Sequence, residues 1–566
     1  MKASDLFVSA LENEGVKHVF TVPGEETLDL MESIRTSSIE LVVLRHEQVA
    51  GFMAATYGRL TGKPGVCLVT LGPGATNLMT AVAHAQLGRM PMVVITGQKP
   101  IKTSHQGKFQ VVDVVQMMHP LTKSAQSVLD VHKIPALVRE AFHLAQEETP
   151  GVAHLELPED VAKETSKVTQ PIPVTLLHKP YASKEAIEKA LQMIEEAQCP
   201  LLMVGAGAHN VAIAEALSSF LKKVDLPFFN TQMGKGVLDE WHPRFLGTAA
   251  LSEGDFLHRA IEHADLILNV GHDTVEKPPF IMSRKSAKVI HINPHPAQID
   301  ETYFPQLEVI GNIAHTIEEF AQQVKRKPYR ASTYHDLIKK KFDQHIELIS
   351  QGEERTISAP LLVREVQKVM PRDGILAFDN GMYKIWFARN YRAHGCHTFL
   401  IDNALATMGA GVAIGMGAKY IYPSRKVVVI TGDGGFLMNA NALASALDLQ
   451  LDLVILLLRD DGYGMIKWKQ ESMHFPNFGL EFGNPDFVKY AEAHGAFGAR
   501  VDTIEGVAPA LTRCLEAGGV HLLDVPIDYT DNHYMLGEEL QSCVRALDQS
   551  KANARTVPLN QREGEK

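Results

Sequence analysis

The sequence predicts an α/β protein made of three doubly wound parallel-sheet domains. The texture of its apolar residues and two breaks in that texture carry the prediction. Short β-branched runs, at residues 41–44, 66–70, 92–96, 266–270, 427–431 and 453–458, alternate with longer helical patterns almost throughout. Such runs have no polar face, so both faces of their sheet must be covered, as in parallel sheets flanked by helices. The pattern lapses at 163–183, rich in Thr, Pro and Lys, and again near 325–333, which leads into a charged helical segment reaching about residue 354. The stretches left are 1–165, 180–330 and 355–545, each suited to one core, whereas 566 residues exceed what one core holds. The polar end, 546–566, is expected to be disordered.

Bulk properties exclude several functions. The formal net charge of −11 argues against nucleic acid or an anionic membrane as the main partner. The five cysteines are scattered without a CxxC spacing, so neither a disulfide framework nor a zinc site is expected. Residues 1–16 carry Asp5, Glu12 and Glu14 among apolar positions and read as an amphipathic helix, not a signal peptide. No run is long and apolar enough to span a membrane, so the expected location is the cytoplasm.

Two segments carry chemistry. Gly432-Asp433-Gly434-Gly435 follows the buried run 427–431, where glycines let a backbone approach a phosphate and the next helix offers free N–H groups. A diphosphate needs a hard cation, and Mg²⁺ takes oxygen ligands. Asp433 supplies one, and Asp460, past the next buried run and 27 residues on, supplies another. Asp461 reads as a solvated turn residue. In the first stretch, Arg45-His46-Glu47 places a carboxylate just past run 41–44, at the start of a helix. Alone, Glu47 is either a helix-cap acid or an acid placed for proton transfer, which burial would tune; His46 reads as structural. A faint echo links Gly72-Pro73-Gly74 with Asn77 to the Gly432–Gly435 turn with Asn439. This is either common α/β architecture or a sign that the first and last domains are related.

Taken together, Gly-Asp-Gly, a helix, a strand and then an acidic ligand resemble the signature of thiamine diphosphate (ThDP) enzymes. The resemblance implies Mg²⁺ held by Asp433, Asp460 and the Gly462 carbonyl, with Gly432, Gly434 and Gly435 at the diphosphate. Many members have Asn at the second position. Arg45-His46-Glu47 with Gly51-Phe52-Met53-Ala54-Ala55 is similar to the catalytic-glutamate segment of that family, so Glu47 is implied to activate the cofactor's pyrimidine. Val22-Pro23-Gly24, Thr70-Leu71-Gly72-Pro73-Gly74-Ala75-Thr76-Asn77 and Leu155-Glu156-Leu157-Pro158-Glu159-Asp160 resemble the acetolactate synthase branch, and the likeness runs to about Leu536. It implies cofactor contacts for Gly24, Gly72, Asn77, Gln110, Met408 (wedged between the cofactor rings) and Met465. It also implies a substrate region at Gln110, Lys123, Trp468 and Lys469.

The implied reaction joins two pyruvates to give 2-acetolactate and CO₂. The alternative is another ThDP-dependent 2-oxo-acid decarboxylase or carboligase, but the His-His pair of pyruvate decarboxylases is absent. The family's sites lie between subunits, so a homodimer or homotetramer is implied. His272-Asp273-Thr274-Val275-Glu276 resembles the flavin-free catabolic branch, and Gly205-Ala206-Gly207 has Asn210 where a dinucleotide loop has its third glycine. FAD and a regulatory subunit are therefore not expected. Lys469 matches neither branch; it either holds an acceptor carboxylate or faces solvent. Asn403-Ala404-Leu405-Ala406 also departs from the catabolic pattern.

Overall fold

The computed structural model describes all residues except 103–106, 148, 176–178, 273–274, 277–286, 300, 326–332, 352–355 and 557–566. Asp273 and Thr274 of the segment compared with the flavin-free branch thus lie outside the described residues. The apolar runs become strands of three six-stranded sheets. The first holds β1 (His18–Thr21), β2 (Glu40–Val43), β3 (Gly65–Val69), β4 (Met92–Gln98), β5 (Ser124–Ser127) and β6 (Val152–Pro158). The second holds β7 (Pro200–Val204), β8 (Phe228–Thr231), β9 (Phe245–Ala249), β10 (Leu266–Val270), β11 (Lys288–Asn293) and β12 (Leu307–Ile310). The third holds β13 (Ile375–Phe378), β14 (Phe399–Leu400), β15 (Val427–Gly432), β16 (Leu453–Arg459), β17 (Phe497–Arg500) and β18 (Val520–Pro526). Neighbouring strands run parallel, with β15 and β16 in register from Val428↔Val454 to Gly432↔Leu458.

The orders are β2-β1-β3-β4-β6-β5, β12-β11-β10-β7-β8-β9 and β14-β13-β15-β16-β18-β17. The first and third sheets share one topology, which gives the faint sequence echo a structural counterpart. In each, the chain reverses its direction of travel across the sheet between the first and third strands. Crevices at such points, beyond the carboxyl ends of strands, are where open α/β sheets receive ligands. In the first sheet that place is flanked by residues after Thr21 and Val69; in the third it is flanked by Asp379 and Asp433.

The first and third sheets also share a core. Phe52, Met53 and Leu78 join Val412, Met416, Val429, Leu453 and Leu457 in one buried cluster, written in the sequence as helix faces and two-sided strands. Helix Glu47–Thr61 meets helix Gly411–Ile421 so closely that a Cβ at Gly417 would lie 3.0 Å from the Thr56 Cβ. Residues 546–556 of the end expected to be disordered continue helix Leu540–Thr556, and 557–566 lie outside the described residues. Leu540, Val544 and Leu547 fall on one helical face and are buried, which anchors the polar end to the core. Among the described residues no helix is long and apolar enough to cross a membrane.

Candidate functional site

At the end of β15 the chain turns directly into helix Asp433–Met438. The Gly432 N–H donates to the Tyr383 hydroxyl at 3.1 Å. Asp433 is almost wholly buried; its Oδ1 accepts from Gly434 N at 2.7 Å and its Oδ2 from Asp461 N and Asn484 Nδ2, both at 2.8 Å. Asp460 stands at the end of the neighbouring strand β16. Burial, and next the negative charge of Asp433, push the Asp460 carboxyl up to about 7. Burial raises Asp433 as well. Arg459 offers no relief, because its guanidinium is taken by Asp461 and Asp524, each at 3.0 Å. Asp461 is therefore more than a solvated turn: it accepts from Arg459 and from Asn484, with its backbone at φ +52°.

Two like-charged carboxylates with no lysine or arginine ion pair among the described residues suit a hard cation. Asp433, Asp460 and the carbonyl of Gly462 are all oxygen donors, as Mg²⁺ prefers. No group of three or more His, Cys, Asp and Glu able to hold a metal occurs among the described residues. The glycine turn keeps space open: a Cβ at Gly434 would lie 3.2 Å from both Tyr463 and Phe482 and 3.6 Å from the Met408 Cε. These contacts also place Met408 over the turn.

Asp379, just after β13, organises the Met408 segment. It is buried and accepts from Gly409 N at 2.9 Å and Gly411 N at 3.0 Å. Burial pushes its carboxyl up to about 6, against the lowering effect of these donors. Gly409 has φ +83°, and a Cβ there would lie 2.9 Å from the Met438 Cβ. The Asn439 amide donates both to Gly409 O, at 2.8 Å, and to Gln48 Oε1 of the first stretch, at 2.6 Å.

Glu47 opens helix Glu47–Thr61, and His46 caps it by accepting from Gln48 N at 3.1 Å, a local structural role. The Asn77 amide donates to Glu47 Oε2 at 3.0 Å, and a Cβ at Gly74 would lie 3.5 Å from Oε1. In the single chain Glu47 is half-buried. Gly24 packs against the Thr70 side chain too closely for any Cβ. Gly72 faces the Gln110 carbonyl, and Gln110 is exposed with φ +57°. Glu47, Gly74 and Asn77 thus meet, with Gly24 against Thr70 and Gly72 against Gln110 at the ends of the first sheet's strands.

Lys123, expected in the substrate region, turns its ammonium to a helix end. Its ammonium donates to Leu144 O, Glu147 Oε2 and Thr149 O at 2.6, 2.7 and 2.9 Å, closing the C-terminal end of helix Ile134–Gln146. Met465 is half-buried on helix Gly464–Ser472, and Trp468 lines a cleft of about 700 Å³ with Asp460, Gly462, Lys467 and Tyr529. Lys469 is exposed, its Nζ 4.6 Å from the Trp468 ring centre, and it does not line that cleft, whereas Lys467 does. Sequence reasoning missed Asp379, Tyr383 and Asn484. Only Asp379 left a signal, an acid directly after a buried apolar run.

Three family models match the chain. They describe the N-terminal TPP binding domain of thiamine pyrophosphate enzymes, over residues 1–117; their central domain, over 187–320; and their C-terminal TPP binding domain, over 379–525. The acetolactate synthase of Bacillus subtilis is 33% identical over 564 residues, covering 97% of each chain. The catabolic acetolactate synthase of Raoultella terrigena is 32% identical, covering 94% of this chain and 96% of its own. The acetolactate synthase isozyme 2 large subunit of Escherichia coli is 29% identical, covering 95% of this chain and 97% of its own.

Proposed function

Because the chain belongs to the acetolactate synthase family of thiamine pyrophosphate enzymes, we propose that it joins two molecules of pyruvate into 2-acetolactate with release of CO₂. The observation that carries this reading is the pair of buried Asp433 and half-buried Asp460 at adjacent strand ends, without an ion pair to any basic side chain among the described residues, beside a glycine turn that Met408 approaches. Bound ThDP supplies a carbon nucleophile and an electron sink. Asp433, Asp460 and the Gly462 carbonyl hold Mg²⁺, and the turn Gly432–Gly435 admits the diphosphate. Glu47 keeps a proton at the pyrimidine ring nitrogen, and Asn77 fixes the direction of its carboxyl. Gly24, Gly72 and Gln110 shape the pyrimidine side, Met408 and Met465 the apolar wall. Trp468 stands where the second substrate enters.

The half-buried state of Glu47 supports a site completed by a second copy of the chain, whose third sheet covers this acid and shields it from water. Several relatives are named large subunits; this chain is proposed to act as a homo-oligomer without a regulatory partner, and without FAD. Supporting the latter, Gly205 and Gly207 serve packing: Gly205 lies against His272 and Gly207 N donates to Gly271 O at 2.7 Å. Five free cysteines fit a reducing compartment such as the cytoplasm.

The test is incubation of purified protein with pyruvate, ThDP and Mg²⁺. Acetolactate, seen as acetoin after acid treatment, is expected. Acetaldehyde alone would instead mark a simple decarboxylase, and absence of turnover would overturn the reading. The same sample should be colourless; a yellow flavin spectrum would refute the flavin-free proposal.

A further inference from the structure

Helix Met382–Asn390 begins just beyond Asp379, and two consecutive side chains in its first turn point to two different parts of the site. The Tyr383 hydroxyl accepts from Gly432 N, at the start of the glycine turn. Lys384 Nζ donates to the Asp402 carbonyl and to Asn403 Oδ1, both at 3.1 Å. Lys384 is 5% exposed, an unusual depth for an ammonium, and both hydrogen-bond acceptors are uncharged oxygens. An apolar side chain would fill such a place at lower desolvation cost, so filling space does not account for a lysine here.

What the ammonium grips is the root of the Met408 segment. Asp402, itself 6% exposed, folds its carboxylate back onto Ala404 N at 3.1 Å and Ala406 N at 2.8 Å. The buried His84 of the first stretch faces the same carboxylate at 3.5 Å, and Arg59 donates to Ile401 O at 2.9 Å. Ala406 is held at φ +55°, where alanine is disfavoured, two residues before Met408. The segment is therefore pinned at two ends: by Lys384 and Asp402 at its start, and by Asp379 at Gly409 and Gly411.

We propose that Lys384 is a positioning residue for the cofactor: by holding Asp402 and Asn403 it sets how far Met408 reaches over the glycine turn. This rests on the proposed ThDP site. Loss of the grip lets the 402–408 turn relax while the Asp379 end stays fixed, and displacement of about 1 Å at a reacting centre costs about a hundredfold in rate.

The experiment compares Lys384→Met, and Lys384→Gln as the variant that keeps a donor, with the parent and with Met408→Ala. Hydrogen–deuterium exchange on the cofactor-free proteins is the first readout. Lys384→Met should speed exchange at Ala404 and Ala406 at least tenfold and leave Gly411 unchanged; Lys384→Gln should restore much of the protection. In turnover, Lys384→Met should lower kcat about 10- to 100-fold with KM for pyruvate changed less than threefold. Combined with Met408→Ala it should add less than threefold, because nothing remains to be positioned. Unchanged exchange at 404 and 406, or multiplicative rate losses in the double variant, would overturn the proposal. If Lys384→Met does not fold, Asn403→Ala, which removes one of the two acceptors of the ammonium, is read instead: faster exchange at Ala404 and Ala406 with a lowered kcat is expected, and unchanged exchange with unchanged kcat and KM would overturn the proposal. If the ThDP reading itself is wrong, the parent forms no acetolactate, an outcome distinct from either.

Discussion

Glu47 and Lys384 show how differently single residues meet their surroundings. Glu47→Gln keeps the hydrogen bonding shape of the side chain and removes its acid, so acetolactate formation should fall about 10²- to 10⁴-fold, the usual range for a lost proton-transfer group. Thermal unfolding of the same variant should match the parent, and full retained activity would refute the assignment. For Lys384, burial lowers the ammonium from the ordinary lysine value to about 8. Between about pH 8 and 10.5 the unfolded chain therefore holds a proton that the folded one has lost, and this residue's contribution to stability rises with pH across that window. Urea midpoints at pH 8 and pH 10 should show the parent gaining on Lys384→Met; parallel behaviour would contradict this. Glu47, Asp433 and Asp460 were legible in the sequence because each follows an apolar run within a short motif. Asp379 and Asn484 were not, since their partners lie 30 and 51 residues away in the chain. The partners of Lys123 were hidden for the same reason: its acceptors belong to a helix end that folds back more than twenty residues later.

At the scale of elements, the turn from Met408 to Gly411 depends on one backbone conformation. Gly409→Ala places a side chain at φ +83° and against Met438, so a loss of about 1–3 kcal/mol in stability is expected from the backbone alone. ThDP affinity, followed by quenching of tryptophan fluorescence, should weaken in the same variant; normal affinity and stability would show that the turn tolerates a Cβ. The inner strands β3, β10, β15 and β16 were legible because both their faces are apolar and buried, whereas the edge strands β5, Ser-Ala-Gln-Ser, and β17, Phe-Gly-Ala-Arg, carry no such run. The C-terminal helix was obscured by composition: Leu540, Val544 and Leu547 already had helical spacing, but the polar residues between them dominate the segment.

For the whole molecule, Arg389 and Asp255 tie the second and third stretches. Asp255 caps helix Phe256–His263, and its carboxylate receives Arg389 Nε at 2.7 Å and Nη2 at 3.0 Å with both side chains buried. Arg389→Met leaves that carboxylate unpaired in the interior, and unfolding in urea should register a loss of about 3–5 kcal/mol. A loss below about 1 kcal/mol would mean that water reaches Asp255 in the variant. The topology shared by the first and third sheets was only hinted at by two glycine turns, because strand order is set by packing partners that no local pattern records.

Neighbouring residues on the first turn of helix Glu47–Thr61 look in separate directions. Gln48 clasps Asn439, which in turn steadies the carbonyl of Gly409 in its own chain, while Glu47 faces the space that the proposed partner fills. One peptide bond is all that divides the two allegiances. In the proposed pair of chains, the acid of one reaction chamber and a prop of the other therefore sit side by side on a single helical turn.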